Sequence, residues 1–150
     1  MATIRFRETT TATPEQFIAG LTDFGPGRSE LFKNSADSFL MVHNLGPNRA
    51  DVTEGSSGVW ERLYYNWSDP HHVVLKTIDS NLFGGASGHT YTLTENPDGT
   101  TDIDVVLVRE GKNAKGRVVA AVLGTVGRRS LVKAFGKSVT AIEARSAVAY

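Results

Sequence analysis

The residues with which this chain could do chemistry are five polar side chains that recur among apolar ones in predicted strands. They are Glu61, Tyr65, His89, Tyr91 and Arg109. A histidine can act as a general acid or base near neutral pH, and carboxylate, phenol and guanidinium groups can orient a bound molecule by hydrogen bonds. His89 has a second interpretation, in which its ring only hydrogen-bonds a neighbouring group. The spacing of these residues assigns no catalytic residue.

Alternation along the strands predicts which side chains face a cavity. Successive side chains of a strand point to opposite faces of the sheet, so the set of alternate residues that is more apolar marks the buried face. A slip of one residue in the strand would exchange the two faces. The predicted ligand-contacting residues of the sheet are Glu61, Leu63, Tyr65, Trp67, Leu75, Thr77, His89, Tyr91, Val105, Leu107 and Arg109. Phe83 from a loop and Val122 and Val126 from the last helix complete the set. An apolar wall with a few polar groups is typical of a small-molecule site.

Several of these residues have more than one interpretation. An inward Glu61 needs a partner, because an unpaired buried carboxylate is costly, so it either pairs with an arginine or is directed to a ligand. Arg109 lies near a strand end, and three interpretations are open for it: it reaches solvent, it pairs with Glu8, or it contacts the ligand. Phe83 has an exposed-looking position beside two glycines, and it is either a gate at the cavity mouth or an anchor for its loop. The tyrosines and Trp67 belong either to the core or to a ligand shelf.

The elements that position these residues follow from the period of the apolar residues. A strand at 4–11 precedes a helix that Thr13 and Gln16 begin as a capping box, with Pro14 at its first position. A period of two then predicts strands at 39–45, 50–54, 59–67, 72–79, 87–95 and 101–109. Their short connections favour an antiparallel meander. Three- and four-residue steps after Asn113 predict a long helix, in which Gly124 and Gly127 mark a bend or a close contact.

Length and composition predict one domain spanning residues 1–150. The chain has 40% hydrophobic residues and no cysteine, which excludes disulfides and thiolate metal sites. Its four histidines lack the spacing of a chelate, so no metal is predicted. It has no Gly-x-Gly-x-x-Gly and no Gly-x-x-x-x-Gly-Lys-Ser/Thr motif, and no cofactor is predicted. The first residues do not resemble a signal peptide, and the longest nearly apolar run, 118–126, is too short to span a membrane. A cytoplasmic location is predicted.

Charge is balanced overall but unevenly distributed along the chain. Residues 1–108 carry seven Lys or Arg and fourteen Asp or Glu, whereas residues 109–150 carry nine and two. The basic face of the last helix either meets an anionic partner or is a solvated helix face. No nucleic-acid partner is expected, because aromatic residues do not interleave with the basic ones. Peripheral membrane contact and the oligomeric state stay open.

The order of elements and several motifs resemble a known superfamily. The motifs are 11–17 after the first strand, 60–70, 84–91, 98–102 and 108–112. The chain resembles polyketide cyclase/dehydrase-like members, of actinobacterial type, of the START and birch-pollen-allergen (SRPBCC, helix-grip) superfamily. The resemblance implies an α+β helix-grip fold, in which a seven-stranded curved antiparallel sheet wraps around a long C-terminal helix. One or two short helices follow the first strand in this fold.

The resemblance also implies a hydrophobic cavity between the sheet and the C-terminal helix. Binding or carriage of a small hydrophobic ligand, such as a lipid, a polyketide-like molecule or an isoprenoid, is the first interpretation. The alternatives are a polyketide aromatase/cyclase, in which His89, a tyrosine and Arg109 orient the chain and move protons, and a module that binds an anionic partner through the basic helix face. Since one fold supports many functions, the resemblance leaves this choice open.

Overall fold

The computed structural model describes residues 1–56 and 58–148. Its strands are β1 Ala2–Thr10, β2 Met41–Leu45, β3 Arg49–Ser56, β4 Val59–Asp69, β5 His72–Ser80, β6 Gly88–Glu95 and β7 Thr101–Arg109. Its α-helices are α1 Pro14–Leu21, α2 Arg28–Leu31, α3 Ala114–Gly124 and α4 Arg128–Val148, with a 3-10 turn at Asp37–Phe39. The predicted α+β helix-grip architecture is confirmed.

The strands form one antiparallel sheet in the order β1-β7-β6-β5-β4-β3-β2. All strands except β1 lie beside their neighbours in sequence, as the short connections predicted, and β1 pairs with β7 at the far end. The predicted choice of inward-facing residues is confirmed on β4 to β7, because side chains such as Leu63, Leu75, Leu93 and Ile103 are buried on one face. This face looks towards α1 and α4 and carries the main core.

The helix after β1 begins as its sequence predicted. The Thr13 hydroxyl accepts a hydrogen bond from the Gln16 amide, and the Gln16 side chain accepts one from the Thr13 amide. Phe17 and Leu21 then enter the core. Gly20 lies against α4, where an added Cβ would be 2.7 Å from Cγ1 of Ile142, so a larger residue would push the two helices apart.

The C-terminal helix is broken at residues 125–127, which confirms the bend predicted at the two glycines. Asn113 caps α3 as predicted, since its side chain accepts a hydrogen bond from the Gly116 amide. Gly116 and Ala120 are buried one helical turn apart. An added Cβ at Gly116 would lie 2.0 Å from the Leu82 carbonyl oxygen, so α3 approaches the 81–84 loop through its small residues.

The predicted placement of Val122 and Val126 in the cavity is wrong. Val122 is 45% exposed and Val126 is 81% exposed. Because α3 turns Gly116 and Ala120 towards the loop, Val122 on the opposite side of the helix points to solvent, and Val126 lies in the break between α3 and α4. Val119 and Leu123 are half-buried in their place and line a cavity. The sequence pattern treated the two helices as one continuous stripe, which the break at 125–127 interrupts.

Candidate functional site

Two adjoining cavities lie between the sheet and the C-terminal helices. The α4 chamber has a volume of about 160 Å³, and its walls include Phe6, His89, Tyr91, Val105, Ala134 and Phe135. The α3 chamber has a volume of about 240 Å³, and its walls include Glu54, Glu61, Leu63, Phe83, Arg109 and Val119. Asn34, Leu107 and Leu131 line both chambers. Each is smaller than a typical ligand site of about 300–1,000 Å³, but the shared walls make them neighbouring parts of one hollow region.

A buried ion pair crosses the sheet in the wall of the α3 chamber. Arg109 on β7 donates two hydrogen bonds of 3.0 Å to the carboxylate of Glu61 on β4. Thr77 on β5 donates a further bond of 2.8 Å to the same carboxylate. The side chain of Arg109 is only 7% exposed and that of Glu61 only 11% exposed. Glu61 therefore has the arginine partner that one interpretation required, whereas the interpretations in which Arg109 reaches solvent or pairs with Glu8 are wrong.

Phe83 lies against this ion pair and is buried, so its predicted exposure is also wrong. The ring is 3% exposed, and the Arg109 guanidinium lies 4.7 Å from its centroid. Its backbone pairs with Gly111 after β7. These contacts fix the 80–85 loop to the end of β7, as the anchor interpretation expected, while the ring forms part of the α3 chamber wall.

Arg109 on β7 and His89 and Tyr91 on β6 form a row of polar side chains that connects the α3 chamber with the α4 chamber. Nη2 of Arg109 lies 2.8 Å from Nε2 of His89, and Nδ1 of His89 lies 3.2 Å from the Tyr91 hydroxyl oxygen. A guanidinium group only donates hydrogen bonds, so Nε2 accepts and Nδ1 carries the proton. The Nδ1–H group therefore donates to Tyr91, and the order of donors runs from Arg109 through His89 to Tyr91.

Burial and nearby charge keep both rings of this row uncharged. Burial, together with the positive charge of Arg109, lowers the pKa of His89 to about 3. Burial, together with the negative charge of Glu54, raises the pKa of Tyr91. At neutral pH the imidazole is neutral with its acceptor nitrogen occupied, so the arrangement suits a positioning group better than a general acid or base.

The lowered pKa of His89 predicts a loss of stability in mild acid. In the unfolded chain the histidine takes up a proton near pH 6.5, whereas in the folded protein it stays neutral down to about pH 3. The unfolded state then binds more protons, so the free energy of unfolding should fall as the pH falls below 6.5, by up to about 1.4 kcal/mol per pH unit. Urea denaturation at pH 5.0, 5.75 and 6.5 measures this slope.

The control compares two histidine-to-glutamine variants. His89→Gln removes the titrating ring and should flatten the slope, whereas His72→Gln alters an exposed ring and should leave it unchanged. Equal slopes in the wild type and in His89→Gln would contradict the assignment.

A second buried polar cluster was not predicted from the sequence. Nε of Arg28 donates to Glu54 at 2.8 Å, one Nη donates to the Tyr65 hydroxyl at 3.1 Å, and the other donates to the Asp23 carbonyl at 2.7 Å. The Tyr65 hydroxyl donates to the remaining oxygen of Glu54. Burial, and next the negative charge of Glu54, raises the pKa of Tyr65 well above its usual value, so this phenol stays protonated.

Alternation could have found one member of this cluster. Ala50 and Val52 share the parity of Glu54 on β3, and all three are buried. The inward direction of Glu54 was therefore available from the pattern. Arg28 follows the Gly-Pro-Gly segment in a region without periodicity, so no signal indicated that its side chain would be 1% exposed.

The structure divides the predicted site residues into cavity walls and core. Glu61, Leu63, Phe83, His89, Tyr91, Val105, Leu107 and Arg109 line the two chambers. Tyr65, Leu75 and Thr77 are buried and serve as core residues or as partners within the polar clusters. Trp67 packs partly buried against the core.

Within the described residues, no helix is long and apolar enough to cross a membrane. No group of three or more His, Asp or Glu side chains in the same part of the chain is placed to hold a metal ion. The exposed basic residues Arg129, Lys133 and Lys137 lie along α4, in line with the uneven charge of the sequence.

Comparison with solved structures places this architecture among known folds. A protein of Thermus thermophilus superimposes with a TM-score of 0.70 at 14% identity, covering 98% of each chain. A START superfamily protein from Mycobacterium smegmatis gives 0.69 at 14% identity, covering 93% of this chain and 98% of the other. An aromatase/cyclase from a Streptomyces species gives 0.69 at 12% identity, covering 96% and 94%.

The chain has a START-like, polyketide-cyclase-like fold. No family model and no curated protein sequence matches it. At 12–14% identity the structural similarity concerns the START-like fold alone, so the function has to be inferred from the chambers of this chain.

Proposed function

We propose that this protein binds and carries a small hydrophobic ligand in the hollow between the sheet and helices α3 and α4. The observation that carries the proposal is the composition of the α4 chamber, whose wall is mainly apolar and aromatic with a few polar groups, among them His89 and Tyr91. Apolar area supplies affinity in such a site, and a few fixed polar groups set the orientation. The START-like fold of the neighbours, one of them an aromatase/cyclase, agrees with a ligand-binding role.

The mouth of the hollow supports entry from solvent. Lys33 and Asn34, which lie between α2 and the 3-10 turn, are exposed and line the α4 chamber. Asn34 and Leu131 line both chambers, so a ligand that displaces the Leu131 side chain would occupy both. Lipids, polyketide-like molecules and isoprenoids all present the apolar surface that these walls match.

The polar groups of the chambers support binding more than chemistry. Glu61 and Arg109 neutralise one another, and His89 is neutral with both ring nitrogens engaged. A general base needs an available lone pair and a pKa near the working pH, and neither condition holds for His89. Orientation of a ligand requires only fixed donors and acceptors, which this row provides.

Filling the α4 chamber tests the proposal. Ser138 is 8% exposed and lines the chamber, so Ser138→Phe should weaken binding of the neutral fluorescent probe 1-N-phenylnaphthylamine by at least about tenfold, equivalent to about 1.4 kcal/mol. Fluorescence titration measures the affinity, and native mass spectrometry of the protein from its native-like host detects a co-purifying ligand. Circular dichroism establishes that each variant is folded.

Thr140→Phe is the matched control. Thr140 lies two residues further along α4, is exposed, and like Ser138 donates its hydroxyl to the carbonyl four residues earlier. It should bind the probe as the wild type does. Absence of probe binding and of any co-purifying molecule in the wild type, or equal binding by both phenylalanine variants, would contradict the proposal.

A further inference from the structure

We propose that the α4 chamber selects an uncharged ligand that carries a hydrogen-bond acceptor, such as a ketone or ester carbonyl, and that the Tyr91 hydroxyl donates to it. This inference rests on the proposed function and specifies its ligand class. It follows from the direction in which protons point along the row from Arg109 to Tyr91.

The direction is set at the Arg109 end of the row. The guanidinium is held by two bonds to Glu61 and cannot accept a hydrogen bond, so it donates to Nε2 of His89. The remaining ring nitrogen, Nδ1, then carries the proton and donates it to the Tyr91 oxygen at 3.2 Å. The reverse direction, with Tyr91 donating to His89, would need both ring nitrogens to lack a proton, which imidazole does not allow at neutral pH.

The Tyr91 proton is consequently left for another acceptor. Among residues 1–56 and 58–148, the hydrogen-bonding partner of this hydroxyl is His89. The hydroxyl oxygen accepts that bond, so the bond does not use the hydroxyl proton. Tyr91 is 5% exposed. A buried donor without an acceptor costs about 1–3 kcal/mol, so a ligand that accepts this proton gains an advantage over one that cannot.

Aromatic packing fixes where the hydroxyl lies. The Tyr91 ring stacks on Phe135 of α4 with centroids 5.8 Å apart and planes at 16°. Phe17 of α1 contacts the same ring edge-on with centroids 5.6 Å apart. Tyr91, Phe135 and His89 all line the α4 chamber, so the donor has a fixed position at its wall.

The surrounding charge favours an uncharged acceptor over a carboxylate. Arg109 is already neutralised by two bonds to Glu61, and Lys33, the cation in the wall of the α4 chamber itself, is exposed to solvent at its mouth. Phe6, Val105 and Phe135 supply apolar walls of the same chamber. Burial of an uncompensated carboxylate there would cost far more than one hydrogen bond returns, whereas a carbonyl loses little on leaving water.

A pair of ligands that differ only at the acceptor tests the inference. Fluorenone and fluorene share a flat ring skeleton, but fluorenone has a carbonyl where fluorene has a methylene group. The wild type should bind fluorenone roughly tenfold more tightly than fluorene, as one satisfied buried donor implies. Isothermal titration calorimetry measures both affinities. The carbonyl stretching frequency of bound fluorenone should also shift to lower wavenumber, as an accepted hydrogen bond requires.

Two tyrosine-to-phenylalanine variants locate the donor. Tyr91→Phe should reduce the affinity ratio to about one and abolish the shift in carbonyl frequency, since it removes only the hydroxyl. Tyr64→Phe alters an exposed tyrosine of β4 and should leave the ratio and the shift unchanged. His89→Leu tests the positioning role of the imidazole. It removes the donor to the Tyr91 oxygen, so the Tyr91 O–H bond can rotate away from the ligand, and the affinity ratio should fall although the hydroxyl is still present.

The outcomes separate this inference from the proposed function. Equal binding of fluorenone and fluorene by the wild type would overturn the inference while leaving the carrier function intact. A preference for fluorenone that survives in Tyr91→Phe would overturn it as well. If neither compound binds, and the slightly longer pair benzophenone and diphenylmethane also fails to bind, the inference fails; the proposed function fails with it when the wild type also shows no probe binding and no co-purifying molecule.

Discussion

Replacement of Arg109 by methionine is expected to lower the free energy of unfolding by about 3–5 kcal/mol. Among the residues that the structure describes, the variant leaves the buried Glu61 carboxylate with only the Thr77 hydroxyl as a hydrogen-bonding partner. It also removes the cation above the Phe83 ring and the donor to His89. Because an isolated buried charge is costly, most of the loss comes from the carboxylate that stays behind. Urea denaturation monitored by circular dichroism measures it.

The double variant Glu61→Leu/Arg109→Met is the informative control. Removal of both charges eliminates the stranded carboxylate, so most of the lost stability should return. Arg7→Met removes an exposed arginine from an ion pair with Asp104 and should leave the unfolding free energy nearly unchanged. If Arg109→Met is as mild as Arg7→Met, the ion pair does not have the buried character assigned to it.

Replacement of Arg28 by methionine should destabilise the protein by a similar amount, about 3–5 kcal/mol. Its guanidinium donates to Glu54, the Tyr65 hydroxyl and the Asp23 carbonyl. Its Cζ atom lies 4.7 Å from the centroid of the Phe24 ring and 5.0 Å from that of the Phe32 ring. The loss leaves the Glu54 carboxylate in the wall of the α3 chamber without its cation. Equilibrium unfolding in urea measures the effect.

Arg28→Lys separates charge from shape. A lysine keeps the positive charge, but it lacks the planar fork that serves three partners at once, so it should recover only part of the stability. Tyr65→Phe removes one hydroxyl of the cluster and should cost about 1–3 kcal/mol, clearly less than Arg28→Met. Full recovery in Arg28→Lys would show that the geometry of the guanidinium is unimportant.

The elements and their faces could be predicted from the sequence because they depend on local periodicity. Alternation placed Glu61, Leu63, His89 and Arg109 on the concave face, since the side-chain period of a strand is two whatever the strand packs against. Caps are equally local, and Thr13 and Asn113 begin their helices as expected. The same local rules indicated the helix break near the two glycines.

Partners across the sheet could not be predicted in this way. Glu61 on β4 and Arg109 on β7 are separated by β5 and β6, and in a flat sheet these strands would lie roughly 14 Å apart. Their bonds of 3.0 Å require both the curvature of the sheet and the length of the two side chains. The sequence indicated that each residue pointed inward, but the choice of Glu61 over Glu8 as the partner of Arg109 depends on that curvature.

Long-range packing also decided the helix faces and the chemistry of the row. The close contact of Gly116 with Leu82 turned Val122 to solvent, and the helix break left Val126 exposed, although both belong to the apolar stripe of the sequence. The arginine beside His89 determined which of its nitrogens carries the proton. The sequence by itself therefore determined the elements, their inward faces and the START-like fold, which rest on local periodicity and element order. Only the tertiary structure decided the ion pairs, the helix orientation and the donor that Tyr91 presents, because each depends on atoms brought together from distant parts of the chain.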